Sequence, residues 1–235
     1  MNANQKKAAL MIDQTLLKPD VTKEEVEAFC LLAAKYGFAS VCINPAYVTL
    51  AHEILKGTKT KTCTVIDFPL GAGGLTSKAY GASAAIAAGA DEIDVVADIG
   101  LLKAHQFRSF RTQLAHIKRT VARSSAHRPD SEKRDAVLLK VILETCCLTD
   151  EEIVAACNEC VRVGVDFVKT STGFASGGAT VHAVKLMRQT VGQACGVKAS
   201  GGIRTVADFK AMVAAGANRI GTSQGVKIID ELAKE

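Results

Sequence analysis

Eight short aliphatic segments alternate with longer stretches of helical periodicity along this chain. The segments are MIDQTLL from Met11, ASVCIN from Ala39, KTCTVIDF from Lys61, DEIDVVAD from Asp91, AVLLKVILE from Ala136, DFVKTST from Asp166, GVKASGG from Gly196 and NRIGTS from Asn218. Such alternation is typical of strand–helix units around a parallel sheet. Eight units within 235 residues predict a single α/β domain over residues 1–235, folded as a (β/α)8 TIM barrel. A doubly wound open sheet is the alternative, but its usual glycine fingerprint after the first strand is missing.

The predicted helices carry recognisable start and stop signals. Three begin with capping boxes, in which a threonine and an acidic residue three positions later bind each other's backbone: Thr22 with Glu25, Thr149 with Glu152, and Thr205 with Asp208. Glycines in KYGF, AAGADE, RVGVDF and AAGANRI follow the helical runs, where a left-handed cap requires them. We also expect a short helix from Ala3 to Leu10 before the first strand, and a solvated surface loop from Ser124 to Asp135.

Composition narrows the classes of protein. The net charge of +5 is compatible with anionic substrates and too small to favour nucleic acid as a partner. No apolar run approaches the roughly 20 residues of a membrane span, and the first residues lack a secretory signal. The eight cysteines lie mostly in aliphatic runs, so we expect free thiols and a cytoplasmic protein. Cys157 and Cys160 form an isolated C-x-x-C on a predicted helix, which argues against zinc.

Three lysines interrupt predicted strands at intervals of 29 residues. Lys140 lies in LLKVILE, Lys169 in DFVKTSTGF and Lys198 in GVKASGG, each between aliphatic or small neighbours. Side chains alternate along a strand, so if Val168 packs against the helices, Lys169 points into the barrel. The other two lysines obey the same parity. The sequence therefore predicts that the three amines meet near the C-terminal ends of the strands, where barrel active sites lie.

Crowding of these amines has a chemical consequence. Neighbouring strands are ~4.8 Å apart, so two ammonium groups at roughly 5 Å would repel by about 3 kcal/mol at an effective dielectric of ~20. We therefore expect one lysine to be neutral and able to form a Schiff base with a carbonyl. Asp94 is a candidate proton shuttle, and Asp13 could hold a substrate hydroxyl or a lysine. The alternative is that the lysines form structural layers with carboxylates inside the barrel.

Two glycine-containing turns are candidates for phosphate binding. KASGGIRTVADF follows the seventh predicted strand and GTSQGVKII the eighth, the positions where barrels often bind phosphate. The predicted phosphate-binding residues are Gly173, Gly201, Gly202, Gly221 and Ser223. No metal site is predicted, because the histidines fall on predicted helices or loops: His52, His105, His116, His127 and His182.

Several segments, taken in order, resemble one enzyme family. VCINPAYV, FPLGAG, GADEIDVV, LKVILET, FVKTSTGF, GVKASGGIRT and RIGTS span nearly the whole chain and resemble the 2-deoxyribose-5-phosphate aldolase family, for which KTSTG and KASGG are the most specific. The resemblance implies a class I aldolase on a (β/α)8 barrel. Such an enzyme reversibly cleaves 2-deoxy-D-ribose 5-phosphate to acetaldehyde and D-glyceraldehyde 3-phosphate and requires no cofactor or metal.

The resemblance also implies residue roles. Lys169 matches the Schiff-base lysine, Lys198 the neighbour that depresses its pKa, and Asp94 the proton-relay acid. The substrate-binding candidates are Asp13, Cys42, Lys140 and Thr170, with Cys42 beside the pocket and Lys140 in a polar network with Asp13.

Three positions depart from the family pattern. Asp67 stands where glycine is common, Asp98 where asparagine is common, and Gln224 where a second serine is frequent. The two extra carboxylates could alter helix packing or the number of available protons, and Gln224 weakens the case for a side-chain contact with phosphate.

Other functions stay open. One is another Schiff-base sugar-phosphate aldolase or transaldolase, and a second is a non-catalytic sugar-phosphate-binding protein. The expected partner is a small sugar phosphate, with no nucleic acid or membrane, and a homodimer is a further possibility.

Overall fold

The chain forms a closed eight-stranded parallel barrel in a computed structural model that describes residues 1–128 and 136–234. Each strand pairs with the next in sequence order, and β8 returns to β1, so no edge is left open. The strands are β1 Ile12–Leu16, β2 Ser40–Ile43, β3 Lys61–Ile66, β4 Glu92–Val96, β5 Leu138–Ile142, β6 Phe167–Lys169, β7 Gly196–Ser200 and β8 Arg219–Thr222. All eight lie within the predicted segments, and the predicted (β/α)8 fold is confirmed.

Helices surround the barrel and connect its strands. They are α1 Ala3–Ala9, α2 Lys23–Tyr36, α3 Val48–Leu55, α4 Gly74–Ala87, α5 Ile99–Lys103, α6 Phe107–Ala126, α7 Asp150–Val163, α8 Val181–Val191, α9 Val206–Ala214 and α10 Gly225–Glu231. Short 3-10 turns cover Pro45–Tyr47, Thr145–Cys147 and Leu232–Lys234. Within the described ranges, no helix combines the length and the apolar character needed to cross a membrane.

The expected helix ends are formed as the sequence indicates. The capping boxes at Thr22, Thr149 and Thr205 are all present, and Gly37 and Gly164 take left-handed conformations after α2 and α7. The predicted loop from residue 124 to 135 begins too early, because α6 continues to its end at Ala126 on an amphipathic pattern. Residues 129–135 of that prediction lie outside the described part of the chain.

Two separate environments surround the strands. The main core lies between barrel and helices and includes Val168, Leu139 and Val197, the neighbours of the three lysines. The barrel interior is different, because charged side chains fill its centre beside a small apolar group that consists of Leu17, Cys42, Cys63 and Val65. Alternation along each strand therefore directs aliphatic residues outward and lysines inward, as the parity argument predicts.

The capping box of α2 provides a test of the fold's local energetics. Thr22 Oγ1 accepts from Glu25 N at 3.3 Å, and Thr22 N donates to Glu25 Oε2 at 2.7 Å. Thr22→Ala is expected to lower the free energy of unfolding by about 1 kcal/mol, because it orphans a helix N–H. Urea denaturation measures this. Thr112→Ala, at an exposed position within α6, is the control and should change stability far less; equal losses would contradict the capping argument.

Candidate active site

Asp94 lies at the centre of a buried cluster of three lysines. Its Oδ1 is 2.8 Å from Lys140 Nζ, and its Oδ2 is 2.7 Å from both Lys169 Nζ and Lys198 Nζ. Strand register creates this meeting, since Asp94 pairs with Lys140 across β4 and β5, and Lys169 pairs with Lys198 across β6 and β7. The structure thus brings together the three lysines that were predicted to point inward and Asp94, the candidate proton shuttle.

A second layer of charges lies on the side of the cluster nearer the N-terminal ends of the strands. Arg219 contacts both Asp13 and Glu92, with Arg219 Nη2 2.8 Å from Glu92 Oε2. Glu92 Oε2 is also 2.5 Å from Lys140 Nζ, and Asp13 Oδ2 is 2.5 Å from Lys198 Nζ. These contacts join the two layers into one continuous network of ion pairs.

Sequence reasoning missed Glu92 and Arg219. A signal was present, because Glu92 has the same strand parity as Asp94, and Arg219 has the same parity as Gly221. Both residues open their strands, where a charge usually faces solvent, and both are instead directed inward. Ser40 was also missed; its hydroxyl donates to Asp13 Oδ1 at 2.7 Å.

The carboxylates change the expected protonation of the lysines. Burial alone would lower the pKa of Lys198 and of Lys140, but nearby carboxylates, Asp13 and Asp94 for Lys198 and Asp94 and Glu92 among others for Lys140, raise both pKa values above the ordinary range. The sequence led us to expect one neutral lysine among the three, and these raised pKa values show that Lys140 and Lys198 are not that residue; for Lys169 the expectation stays a prediction. The repulsion between amines counted in the sequence analysis leaves out the carboxylates that barrel closure places among them.

The carboxyl groups respond in the complementary direction. Burial would raise the pKa of Asp94, yet Lys140, Lys169 and Lys198 together hold it well below its usual range. Burial would likewise raise the pKa of Asp13, and Arg219 is the largest of the influences that lower it instead. These shifts favour the ionised forms of Asp13, Asp94, Lys140 and Lys198 in the folded state.

Lys169 differs from the other lysines in its position. It is 3% exposed, whereas Lys140 and Lys198 are fully buried. It also lines a cavity of about 240 Å³ at the C-terminal ends of the strands, together with Thr15, Leu17 and Phe174. Of the three lysines, Lys169 is the one whose amine a molecule in this cavity can reach.

The five predicted phosphate-binding residues all line the same cavity. Gly173, Gly201, Gly202, Gly221 and Ser223 form part of its wall. Three of these glycines have positive φ, namely 86° at Gly173, 90° at Gly201 and 82° at Gly202, which allows tight turns with exposed backbone. Two exposed cationic residues that sequence reasoning missed, Lys18 and Arg204, lie at the same wall. Turns of this kind with flanking cations suit an anionic group.

Two thiols complete the inner surroundings of Asp94. Cys42 and Cys63 face each other in register on β2 and β3, and Cys63 Sγ lies 3.3 Å from Asp94 Oδ1 and 3.4 Å from Lys140 Nζ. Cys63 was not a candidate in the sequence. The two sulfurs and an Asp94 oxygen lie within 4.8 Å of one another, a spacing compatible with a metal ion. Both Asp94 oxygens are paired with ammonium groups, however, so this arrangement favours proton transfer between Asp94 and the lysines over metal binding.

Thr170 occupies a different position from the other candidates. It is fully buried, its Oγ1 donates to Ser200 O at 3.0 Å, and Ser200 N donates back to that Oγ1 at 3.0 Å. These bonds join the end of β6 to β7 and thereby fix the strand that carries Lys169. A contact between Thr170 and substrate stays a prediction.

The departures from the family pattern have structural partners. Asp67 has φ 54° and accepts from Gly73 N, and its Oδ2 is 2.9 Å from the buried Lys78 Nζ, so the extra carboxylate anchors the loop after β3. Asp98 caps α5 by accepting from Leu101 N at 3.1 Å. Gln224 donates to Ser223 Oγ at 3.4 Å.

Fold and site together define a class: a (β/α)8-barrel enzyme in which a lysine amine, backed by a buried carboxylate, faces a cavity suited to an anionic substrate. Residues 7–229 match the model of the DeoC/LacD family aldolases. The chain belongs to this family.

Curated relatives are similar over almost their whole length. The deoxyribose-phosphate aldolase of Caldanaerobacter subterraneus subsp. tengcongensis is 51% identical over 227 residues, which cover 97% of this chain and 94% of the relative. The deoxyribose-phosphate aldolase of Lysinibacillus sphaericus is 49% identical, with 95% of each chain covered.

Solved structures agree with the observed barrel. An aldolase named QR15 superposes with a TM-score of 0.86 at 37% identity, covering 97% of this chain and 96% of its own. The tetrameric deoxyribose phosphate aldolase of Aeropyrum pernix gives a TM-score of 0.85 at 32% identity, covering 97% of this chain and 92% of its own. The resemblance to the aldolase family that the sequence motifs indicate is confirmed.

The ion-pair network is expected to make stability depend on pH at both extremes. Asp13 and Asp94 have lowered pKa values, so their contribution is present above about pH 4 and is lost as pH falls further. Lys140 and Lys198 have raised pKa values, so theirs is present below about pH 10 and is lost above it. Urea unfolding between these limits should show a plateau of stability, falling on both sides.

Arg219→Leu tests the same network. It leaves Asp13 and Glu92 without their shared cation and should lower the free energy of unfolding by about 3–5 kcal/mol near neutral pH. The difference from the unaltered protein should shrink in acid, where the carboxylates become protonated. A difference that stays constant over the whole pH range would show that Arg219 acts by packing alone.

Proposed function

We propose that this protein is a class I aldolase that reversibly cleaves 2-deoxy-D-ribose 5-phosphate to acetaldehyde and D-glyceraldehyde 3-phosphate through an imine on Lys169. One observation carries the residue assignment: Lys169 lines the cavity while its Nζ lies 2.7 Å from Asp94 Oδ2. A lysine nucleophile must lose a proton before it attacks a carbonyl, and Asp94 is within direct reach of that proton.

The reaction follows from this arrangement. The Lys169 amine attacks the aldehyde carbon of the open-chain sugar, and the resulting carbinolamine loses water to form the imine. Removal of the proton from the hydroxyl on the third carbon then breaks the bond between the second and third carbons and releases glyceraldehyde 3-phosphate. The remaining enamine takes a proton and is hydrolysed to acetaldehyde, with Asp94 and water carrying protons between these steps.

Lys198 has a supporting role in this proposal. Its pKa is raised, because burial is outweighed by Asp13 and Asp94, so it remains an ammonium group throughout the reaction. It shares Asp94 Oδ2 with Lys169. When Lys169 is engaged as an imine, Lys198 keeps Asp94 paired and oriented. Lys140 has the corresponding role at Oδ1.

The substrate phosphate is assigned to the glycine-containing turns of the cavity wall. The backbone N–H groups of these turns, which contain Gly173, Gly201, Gly202 and Ser223, can donate to the phosphate oxygens. Arg204 adds positive charge beside them. Phosphate at these turns and the aldehyde at Lys169 place the sugar across the cavity. Substrate contacts by Cys42, Thr170 and Asp13 stay predictions; all three are fully buried, and Asp13 lies in the deeper layer of charges.

Self-association, cellular location and domain organisation belong to the same proposal. The relative from Aeropyrum pernix is described as a tetramer, and the sequence analysis anticipated a homodimer. Sedimentation analysis measures the assembly directly.

A cytoplasmic location agrees with eight cysteines that are all free thiols. A single domain agrees with one continuous barrel core and is tested by whether unfolding is cooperative.

Reductive trapping tests the nucleophile. Acetaldehyde with borohydride should leave an ethyl group on Lys169, located by peptide mass spectrometry. Lys169→Leu should form no adduct, and its kcat should fall by at least about 10³-fold. Lys185→Gln, on the exposed face of α8, is the control and should keep both. An adduct on another residue of an active enzyme would overturn the assignment of Lys169.

Comparison of phosphorylated and unphosphorylated substrates tests the anion site. Arg204→Gln should raise KM for 2-deoxyribose 5-phosphate about tenfold, as expected for one charged hydrogen bond, and should change kcat/KM for 2-deoxyribose far less. Lys185→Gln again serves as the control. If both substrates lose equally, Arg204 acts on the fold and not on phosphate. Ketose donors measured alongside acetaldehyde separate this activity from that of a transaldolase.

A further inference from the structure

Two adjacent cysteines lie at the C-terminal end of β5, beside the cavity wall. Cys146 and Cys147 are both exposed, whereas the six remaining cysteines are buried. The pKa of Cys147 is raised by desolvation and then by the neighbouring Cys146. A reagent arriving from solvent therefore meets this pair of thiols first. The proposed aldol reaction makes no use of either residue.

Cys146 is packed against the loop that follows β6, residues 170–180. A Cβ added at Gly177 would lie 2.8 Å from the Cβ of Cys146, so the bare glycine backbone rests directly on the cysteine side chain. Cys146 Sγ also lies 3.8 Å from Glu144 Oε1. The cysteine thus fits between the loop and a buried carboxylate.

Glu144 connects this position to the cavity. Its carboxylate accepts from Thr172 N at 3.3 Å and from Thr172 Oγ1, and Thr172 Oγ1 in turn accepts from Phe174 N at 3.1 Å. Thr172, Gly173 and Phe174 all line the cavity. Glu144 is held in the left-handed region at φ 56°, a conformation that a non-glycine residue keeps only when its surroundings enforce it. Displacement of Glu144 would therefore release the Thr172–Phe174 segment.

We propose that Cys146 and Cys147 form a dithiol site for trivalent arsenicals, and that occupation of this site slows turnover by displacing Glu144 from Thr172. In the reaction with an arsenous oxide, R–As=O, both S–H bonds and the arsenic–oxygen bond break, and two As–S bonds form. The oxygen leaves with the two thiol protons as water. Arsenic remains trivalent, so no oxidant or reductant takes part.

Geometry explains why the adduct reaches the cavity. Both sulfurs must bind one arsenic atom, and Cys146 cannot be rearranged for this without changing its contacts with Glu144 and with Gly177. An exposed single thiol could be blocked without such movement. The effect on turnover rests on the proposed aldolase function, whereas capture of arsenic and displacement of the loop do not.

The test uses phenylarsine oxide with the full-length protein. We expect one arsenic per chain, located by mass spectrometry on the peptide that contains Cys146 and Cys147, and a loss in kcat/KM of about tenfold or more from misplacement of the cavity wall. A dithiol such as 2,3-dimercaptopropanol should restore activity. Hydrogen exchange of the Thr172 and Phe174 amides should become faster in the adduct, a readout that does not depend on catalysis.

Cys147→Ser is the decisive variant, because it removes one of the two sulfurs and leaves Cys146 against Gly177. It should keep its basal activity, bind no arsenic at the same concentration and remain active. Cys160→Ser, which breaks up the buried pair on α7, should behave as the unaltered protein. Arsenic retained by Cys147→Ser, arsenic found on Cys42 and Cys63 instead, or capture with unchanged exchange at Thr172 and Phe174 would each overturn the proposal.

Discussion

The structure depends on the pairing of one carboxylate with three ammonium groups inside the barrel. An isolated ionised group in such a place would be strongly destabilising, and a buried ion pair is tolerated only when its geometry satisfies both partners. Barrel closure supplies that geometry, because parallel strands in fixed register bring Asp94 against Lys140 and bring Lys169 beside Lys198. The same hydrogen-bond ladder that forms the fold therefore positions the reactive amine.

The deeper layer of charges explains how the cluster keeps its ion pairs while one lysine amine can still give up a proton and react. Within the network, four cationic side chains face three carboxylates, so release of one proton brings the groups into balance. Arg219 holds Asp13 and Glu92, and these in turn hold Lys198 and Lys140. Lys169 contacts Asp94 and, alone among the three lysines, faces the cavity. Access to substrate then selects which amine reacts.

Sequence periodicity was sufficient for the fold and for the direction of the lysines, since both follow from alternation along strands and from helix capping. It was insufficient for the deeper layer, because Glu92 and Arg219 open their strands and look like solvent-facing charges until the barrel closes. For the same reason, the sequence could not show that carboxylate partners raise the pKa values of Lys140 and Lys198. The balance of charges depends on contacts between strands that are distant in sequence and form only in the closed barrel, whereas a local sequence pattern describes one strand at a time.

Two kinds of support hold the residues that line the cavity. Lys169 rests on strands joined by continuous backbone pairing, so its geometry is as rigid as the barrel. The wall formed by Thr172 to Phe174 rests instead on side-chain contacts to Glu144, itself in a strained backbone conformation beside Cys146. Rigid strands and adjustable loops are a general division in enzymes. Here it implies that chemical changes at Cys146 act first on the Thr172–Phe174 wall, whereas the paired strands hold Lys169.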